Sequence, residues 1–206
     1  PRDAFDSRSI LWDLNHFKYF FLKLSGIPFD EEMLENDFQH LSQLLDKVER
    51  DSFLFRDFQS RNIMIRNDEL YFIDYQGGRK GALQYDIASL LFEARTNMTH
   101  LQREELLQYY LDEISRLKHG KFNKKEFLST YHLFALVRQL QAMGAYGLRG
   151  WVEKKPLFLQ SVPFAMQNLM YFLENESKTL HGFPELLRLI EIMIHDEKLN
   201  IHIPAR

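Results

Sequence analysis

The hydrophobic period changes near residue 50, and this change constrains the fold more than any other feature. Apolar residues recur at helical spacing over residues 8–24, and again from Asp30, a good N-cap, to about Val48. Over residues 53–73 the pattern becomes short apolar runs typical of strands. Helical spacing then returns. The sequence therefore predicts an α+β fold, mostly helical, around a small β-hairpin.

The strand-like region divides into short strands and one tight turn. The strands are predicted at residues 53–55, 63–65 and 70–73, and Asn67-Asp68-Glu69 supplies the turn between the last two. Residues 200–204 alternate like a strand, and we expect a further element to begin within residues 199–206. Helices are predicted at residues 84–95, 101–118, 124–147, 160–175 and 183–195.

Composition and charge exclude several classes of protein. The net charge is −3 and no basic stripe carries interleaved aromatics, so we expect no nucleic-acid partner. The absence of cysteine excludes disulfides and zinc-thiolate sites and fits a cytoplasmic location. No apolar stretch approaches the roughly 20 residues of a bilayer span, and the histidines lack the paired spacing of a zinc hydrolase. We therefore expect one globular domain with no membrane partner.

Oxygen-bearing side chains gather at the open end of the predicted hairpin. A turn centred at Asp68 places Asn62 opposite Asp74 in antiparallel pairing. The loop 58–61 is long enough to return the carboxylate of Asp57 to the same place. Carboxylate and amide oxygens are ligands suited to Mg²⁺, and a separate carboxylate can orient a hydroxyl and receive its proton. The alternative is an ordinary surface turn, in which Asp and Asn are common.

The residues around this cluster resemble two motifs of one superfamily. The segment Arg56-Asp57-Phe58-Gln59-Ser60-Arg61-Asn62 resembles the catalytic loop of kinase-like phosphotransferases, and Ile73-Asp74-Tyr75 resembles their metal-binding aspartate after a strand. The chain is thus similar to the aminoglycoside phosphotransferase and choline kinase-like superfamily. The resemblance implies the C-terminal catalytic lobe of a protein-kinase-like fold.

The resemblance also implies roles for individual residues. Asp57 would be the catalytic base, and Asn62 and Asp74 would bind Mg²⁺ and, through it, ATP as the co-substrate. Asp86 would brace the catalytic loop from a helix N-terminus, where an aspartate also stabilises any helix dipole. Arg61 is a catalytic candidate that would contact phosphate or acceptor, unless it is only a solvated surface arginine.

Within the superfamily, one group is most similar. Only twelve positions separate Asp74 from Asp86, which leaves no room for the long activation segment of a protein kinase. The segment 137–144 looks most like bacterial kinases that phosphorylate N-acetylmuramate and N-acetylglucosamine at the anomeric hydroxyl. This likeness makes an amino sugar the expected small-molecule acceptor. The candidate substrate contacts are Gln76, Arg79 and Arg138, the last of which would otherwise be the solvated edge of a core helix.

The chain departs from the superfamily pattern at several points. Phe55 stands where histidine is common, and Gln76 stands where glycine is common. No glycine-rich loop or strand lysine precedes residue 53, so we expect residues 1–206 to be a catalytic and acceptor-binding lobe without its nucleotide-binding lobe. Pro1 in place of methionine suggests a longer protein. Alone, the chain is expected to be inactive, with an apolar surface where the other lobe would pack.

Two functions follow from these observations. The first is an ATP-dependent phosphotransferase, a small-molecule kinase that moves the γ-phosphoryl group to an acceptor hydroxyl. The alternative is a non-catalytic kinase-like module that recognises a sugar or a protein partner.

Overall fold

A computed structural model of the protein describes residues 3–119 and 121–199. The element predicted to begin over residues 199–206 lies outside the described residues, apart from Leu199. None of the helices in the described ranges combines the length and hydropathy needed to cross a bilayer.

Helices dominate the described residues, as predicted, and a few short strands accompany them. The strands are β1 (Ser52–Leu54), β2 (Ile63–Arg66), β3 (Glu69–Phe72) and β4 (Arg79–Gly81). The helices are α1 (Ser7–Phe17), α2 (Lys23–Ser25), α3 (Glu31–Asp46), α4 (Leu83–Leu91), α5 (His100–Leu117), α6 (Lys124–Gly147), α7 (Val162–Asn175), α8 (Ser177–Leu180) and α9 (Pro184–His195). Shorter turns of 3₁₀-helix lie at Ser60–Asn62, Ala94–Thr96 and Pro156–Ser161, and π-helical turns lie at Lys18–Leu22 and Leu148–Val152.

The described chain forms two compact units. The first takes in the residues up to Phe5 together with Glu49–Ala135, and the second takes in Asp6–Val48 together with the residues from Leu136 onward. All four strands, α4 and α5 belong to the first unit, and α1 to α3 and α7 to α9 belong to the second. The candidate site residues of the hairpin region therefore share one unit.

The helices of the second unit begin where the sequence provides caps. The side chain of Asp30 accepts a hydrogen bond from the Met33 N–H at 2.9 Å, which confirms the predicted N-cap of α3. Asp6 caps α1 in the same way through the Ser9 N–H, also at 2.9 Å. Helix α1 then passes through the π-helical turn Lys18–Leu22, which the continuous apolar pattern of residues 8–24 did not reveal.

Carboxylates of the second unit also connect α3 to α9. Asp37 of α3 accepts a hydrogen bond from the Leu186 N–H at 2.8 Å, and burial raises the pKa of the Asp37 carboxyl. Glu185 of α9 accepts from the Asp30 N–H at 2.8 Å. Hydrogen bonds from Arg188 lower the pKa of Glu185. The start of α9 is thus joined to α3 by two hydrogen bonds, one accepted by Asp37 and one accepted by Glu185.

Glycine allows the first helices to approach α6 closely within the second unit. A Cβ on Gly147 would overlap the carbonyl oxygen of Phe20, and a Cβ on Gly144 would overlap the backbone of His16. Only a residue without a side chain permits this backbone contact.

The hairpin of β2 and β3 is present, but its predicted register is wrong by one residue. The observed pairs include Ile63 with Phe72 and Arg66 with Glu69, so Asn62 falls opposite Ile73 rather than Asp74. Asn67 and Asp68 have φ angles of 52° and 60°, as in a two-residue type I′ turn. Glu69 therefore belongs to β3, and the turn is one residue shorter than predicted.

A second small sheet was predicted only in half. Strand β1 lies one residue before the predicted 53–55, and it pairs with β4, a strand that the sequence did not predict. The segment Arg79–Gly81 has no apolar alternation, and its strand conformation comes from pairing with Ser52–Leu54. A Cβ on Gly81 would overlap the side chain of Leu54, so glycine permits this close pairing.

The predicted helices after the hairpin are all present, with ends that differ by a few residues. Helix α6 coincides with the predicted 124–147. The largest difference concerns α4, which ends at Leu91 rather than residue 95 and is followed by the 3₁₀ turn Ala94–Thr96.

The β2–β3 hairpin is apolar on its solvent-exposed surface. Ile65 is 74% exposed, and the neighbouring apolar side chains of both strands are also open to solvent. The exposed apolar residues of this surface are Met64, Ile65, Leu70, Tyr71, Phe72, Ile73 and Tyr75. Exposed apolar side chains in such number are typical of surfaces that other proteins cover.

Candidate active site

The loop between β1 and β2 folds back on itself, as predicted. The side-chain Nδ2 of Asn62 donates to the main-chain carbonyl of Asp57 at 2.8 Å and lies 3.4 Å from its carboxylate Oδ2. Asn62 is buried, at 6% exposure, in the 3₁₀ turn Ser60–Asn62. Because Asp57 occupies the amide nitrogen, the amide oxygen is the atom that Asn62 can offer to a cation.

Arg61 contacts the carboxylate that was predicted to be the catalytic base. Its Nη2 lies 3.0 Å from Asp57 Oδ2, the same oxygen that Asn62 approaches. The Asp57 side chain is 34% exposed and that of Arg61 is 60% exposed, so a substrate can reach both groups from solvent. The pair orients the carboxylate without burying it.

Asp74 lies at the end of the hairpin, directly after the residue that pairs with Asn62. The Ile73 N–H donates to the Asn62 carbonyl at 3.0 Å. Asp74 itself has a φ of 66°, in the left-handed region, and this turns the chain out of the strand direction. Gln76 Nε2 donates to Asp74 Oδ1 at 2.7 Å, so the predicted substrate contact is hydrogen-bonded to the predicted metal ligand. Contact of Gln76 with a substrate stays a prediction.

Asp86 makes the contacts expected of a brace. Its carboxylate accepts the N–H groups of Phe55 and Arg56, the latter at 2.9 Å. Arg56 has a φ of 74°, a conformation that is unfavourable for a residue with a side chain. The two hydrogen bonds that Asp86 accepts offset the cost of this backbone conformation immediately before Asp57.

Tyr110 of α5 lies close to this brace. Its hydroxyl donates to the Leu83 carbonyl, in the first turn of α4, at 3.3 Å. Burial and the charge of Asp86 raise the pKa of Tyr110 to about 12, so the hydroxyl stays protonated near neutral pH.

A second carboxylate, Glu93, holds the other end of the loop, and sequence reasoning missed it. Glu93 Oε2 accepts the Ser60 N–H at 2.7 Å. Nothing in a known motif marks Glu93, and its only sequence signal is a spacing of seven residues from Asp86.

Two predicted substrate residues make other contacts. Arg79 lies in β4, and its Nε donates to the Gly77 carbonyl at 3.2 Å. Arg138 belongs to the second unit, where it is 6% exposed on α6, and its Nη1 donates to Gln141 Oε1 at 2.6 Å. Arg138 is therefore not the solvated edge of its helix. Contact of either arginine with a substrate stays a prediction.

The donor set suits a hard cation that keeps part of its hydration shell. Among the described residues, no group of three His, Cys, Asp or Glu side chains could hold a metal ion. Asn62 and Asp74 would supply one amide oxygen and one carboxylate. Mg²⁺ is bound in this way, through one or two protein oxygens, several waters and substrate phosphates.

One family of known proteins, the kinase-like phosphotransferases, is similar to part of this chain. Residues 19–119 match the model of the phosphotransferase enzyme family, a range that includes the catalytic loop, the hairpin and α4. No curated protein matches the chain. The family match supports the resemblance of the loop and hairpin motifs and indicates a kinase-type phosphotransferase.

Proposed function

We propose that the protein transfers the γ-phosphoryl group of ATP to a hydroxyl group of a small polar acceptor, an amino sugar. The observation that carries this proposal is the return of the catalytic loop to the hairpin. Asn62 binds Asp57 through its side chain and accepts the Ile73 N–H through its main chain, and Asp74 directly follows Ile73. These contacts support a site formed by Asp57, Asn62 and Asp74.

The chemistry is an in-line displacement at phosphorus. The acceptor oxygen forms a bond to the γ-phosphorus, the bond from that phosphorus to the bridging oxygen of ADP breaks, and the acceptor proton passes to Asp57. Mg²⁺, when bound by Asn62 and Asp74, neutralises phosphate charge. Positioning by Arg61, Asn62 and the braced loop accounts for most of the rate, because phosphoryl transfer needs little covalent participation by the protein.

The proposed acceptor rests on the helical region and the short segment after Asp74. The segment 137–144 is similar to that of kinases acting on N-acetylated amino sugars, and Arg138 within it is buried and hydrogen-bonded. A buried, oriented guanidinium can recognise the carboxylate or hydroxyl groups of a sugar. Gln76 and Arg79, on either side of Gly77 and Gly78, are the other proposed acceptor contacts.

The described residues form the catalytic and acceptor-binding part of this proposed enzyme. The exposed apolar surface of β2 and β3 supports packing against a nucleotide-binding lobe of the same protein. Such a lobe would supply the loop of backbone amides and the lysine that hold ATP phosphates in kinase-like enzymes.

The test is ADP release by the complete enzyme over a panel of amino sugars and amino alcohols. Asp57→Asn is expected to lower turnover by about a thousandfold or more with little change in ATP affinity, because the base acts on the acceptor. Asp74→Ala is expected to abolish Mg²⁺-dependent nucleotide binding while the fold is retained.

Asp68→Asn is the matched control for Asp57→Asn. It makes the same chemical change at the hairpin tip, where the left-handed backbone suits asparagine, and activity should be unchanged. Near-normal turnover by Asp57→Asn would remove that residue from catalysis. Sugar binding without turnover on any acceptor would favour the non-catalytic module.

A further inference from the structure

We infer that Glu93 is a positioning residue that, together with Asp86, clamps both ends of the catalytic loop and thereby fixes Asn62. The effect on Mg²⁺ use rests on the proposed function. The clamp itself rests on the hydrogen bonds of the first unit alone.

The two carboxylates bind main-chain N–H groups at opposite ends of one loop. Asp86, in the first turn of α4, holds Phe55 and Arg56, whereas Glu93, just past the end of α4, holds Ser60 at 2.7 Å. The rest of helix α4 lies between the two carboxylates and so sets the distance between them. Hydrogen bonds from N–H groups to carboxylates are among the stronger ones in proteins.

Glu93 is itself fixed by its neighbours. Phe92 and Ala94 are each 5% exposed, so the backbone on both sides of Glu93 is anchored in the core. The guanidinium of Arg103 lies 4.6 Å from the centre of the Phe92 ring. Thr96 donates to the Glu93 carbonyl through its N–H at 3.2 Å and through its hydroxyl at 2.8 Å. The Glu93 carboxylate therefore has an anchored backbone from which it holds Ser60 of the loop.

Ser60 connects Glu93 to Asn62, because both Ser60 and Asn62 belong to the same 3₁₀ turn. It begins the 3₁₀ turn, and the Ser60 carbonyl accepts the N–H of Ile63, the first residue of β2. The N–H of Asn62 donates to the Gln59 carbonyl at 2.9 Å within the same turn. If Glu93 releases Ser60, the turn that aims the Asn62 side chain loses its anchor, and the cation ligand loses its fixed position.

The experiment compares Glu93→Ala, Glu93→Gln and Glu105→Ala in the natural protein. Glu105→Ala is the matched control, because Glu105 is an exposed helical residue on α5 outside the site. Amide hydrogen exchange at Ser60 and at the Asn62 side chain is measured by NMR, and the Mg²⁺ concentration for half-maximal ADP release is measured separately. Glu93→Ala is expected to accelerate both exchange rates about tenfold and to raise the Mg²⁺ requirement at least threefold.

Glu93→Gln keeps an acceptor oxygen, so its exchange rates and Mg²⁺ requirement should stay close to those of the natural protein. Glu105→Ala should change neither quantity. Unchanged exchange at Ser60 in Glu93→Ala would overturn the clamp. Faster exchange at Ser60 with an unchanged Mg²⁺ requirement would overturn the positioning of Asn62. If the natural protein releases no ADP with any acceptor, the proposed function fails separately. In that case exchange of the Asn62 side chain decides the inference, and only accelerated exchange supports it.

Discussion

At the scale of single residues, one carboxylate oxygen of Asp57 lies near two donor groups. Oδ2 of Asp57 accepts from Arg61 at 3.0 Å and lies 3.4 Å from the Asn62 amide nitrogen. Both donors orient the carboxylate, and the proposed role of Asp57 as a base requires such preorganisation. The same guanidinium is close enough to the loop to meet a phosphate that approaches Asp57.

Arg61→Ala separates these functions from a merely structural one. An exposed ion pair contributes at most about 1 kcal/mol to stability, so the free energy of unfolding should change by no more than that. Turnover in the ADP-release assay should fall about tenfold or more, and Arg61→Lys should retain part of it because the charge remains. Unchanged turnover in Arg61→Ala would show that Arg61 is a solvated surface arginine.

At the scale of elements, the sequence predicted helices better than strand pairing, for identifiable reasons. Asp30 determines the start of α3 through a local hydrogen bond, which spacing and residue type suffice to predict. The hairpin register depended on whether the turn contained two or three residues, and the paired left-handed conformations of Asn67 and Asp68 favoured two. Strand β4 forms only because β1 pairs with it, and its own residues show no strand pattern.

In the candidate site, too, contacts that depend on local sequence could be predicted and contacts that depend on tertiary structure could not. The loop and hairpin motifs predicted the contact between Asp57 and Asn62 and the bracing contacts of Asp86. Glu93 could not be predicted, because its partner is a main-chain N–H whose position depends on the tertiary structure. Local sequence also could not show that Gln76 turns toward Asp74.

Gly147→Ala tests the close approach of helical segments in the second unit. The added methyl group would overlap the Phe20 carbonyl, so the backbones must separate, and the free energy of unfolding should fall by about 2 kcal/mol or more. Gly182→Ala in the same unit is the control, because its added Cβ would lie 3.8 Å from His40 Cε1, an ordinary contact. Urea unfolding of both variants is the measurement, and equal midpoints would contradict the packing described.

At the scale of the whole molecule, pH acts on stability through a half-buried histidine, His132. Burial, with a smaller contribution from His100, lowers the pKa of His132 to about 4. In the unfolded chain the pKa of His132 is near 6.5, so the unfolded chain binds the proton more readily than the folded protein. The contribution of neutral His132 to the free energy of unfolding is therefore complete above about pH 6.5 and is lost as pH falls toward 4.

This linkage predicts a difference between the natural protein and His132→Gln. From pH 7 to pH 5, the natural protein should lose up to about 2 kcal/mol more stability than the variant, which has no group to titrate at this position. Denaturant unfolding at both pH values measures the difference. Parallel losses in the two proteins would show that His132 is not held in its neutral form.

The proposed two-lobe enzyme also predicts how the 206-residue chain behaves alone. It should fold but release no measurable ADP, because no glycine-rich loop or strand lysine precedes residue 53 to hold the γ-phosphate in line with the acceptor. A protein that also carries the proposed nucleotide-binding lobe should be active, with Asp57 required. Turnover by the 206-residue chain at the rate of the longer protein, abolished by Asp57→Asn, would show that the nucleotide is held by the described residues.

The exposed hairpin of β2 and β3 also has open main-chain edges. Strands β2 and β3 form a two-stranded sheet, so each has an edge of main-chain groups open to another strand, and their apolar side chains are open to solvent. Such edges recruit strands from other molecules unless charges interrupt them, and here the charges sit only at the tip, on Arg66, Asp68 and Glu69. The proposed nucleotide-binding lobe, if it packs on the hairpin, would therefore also shield these strand edges from other molecules.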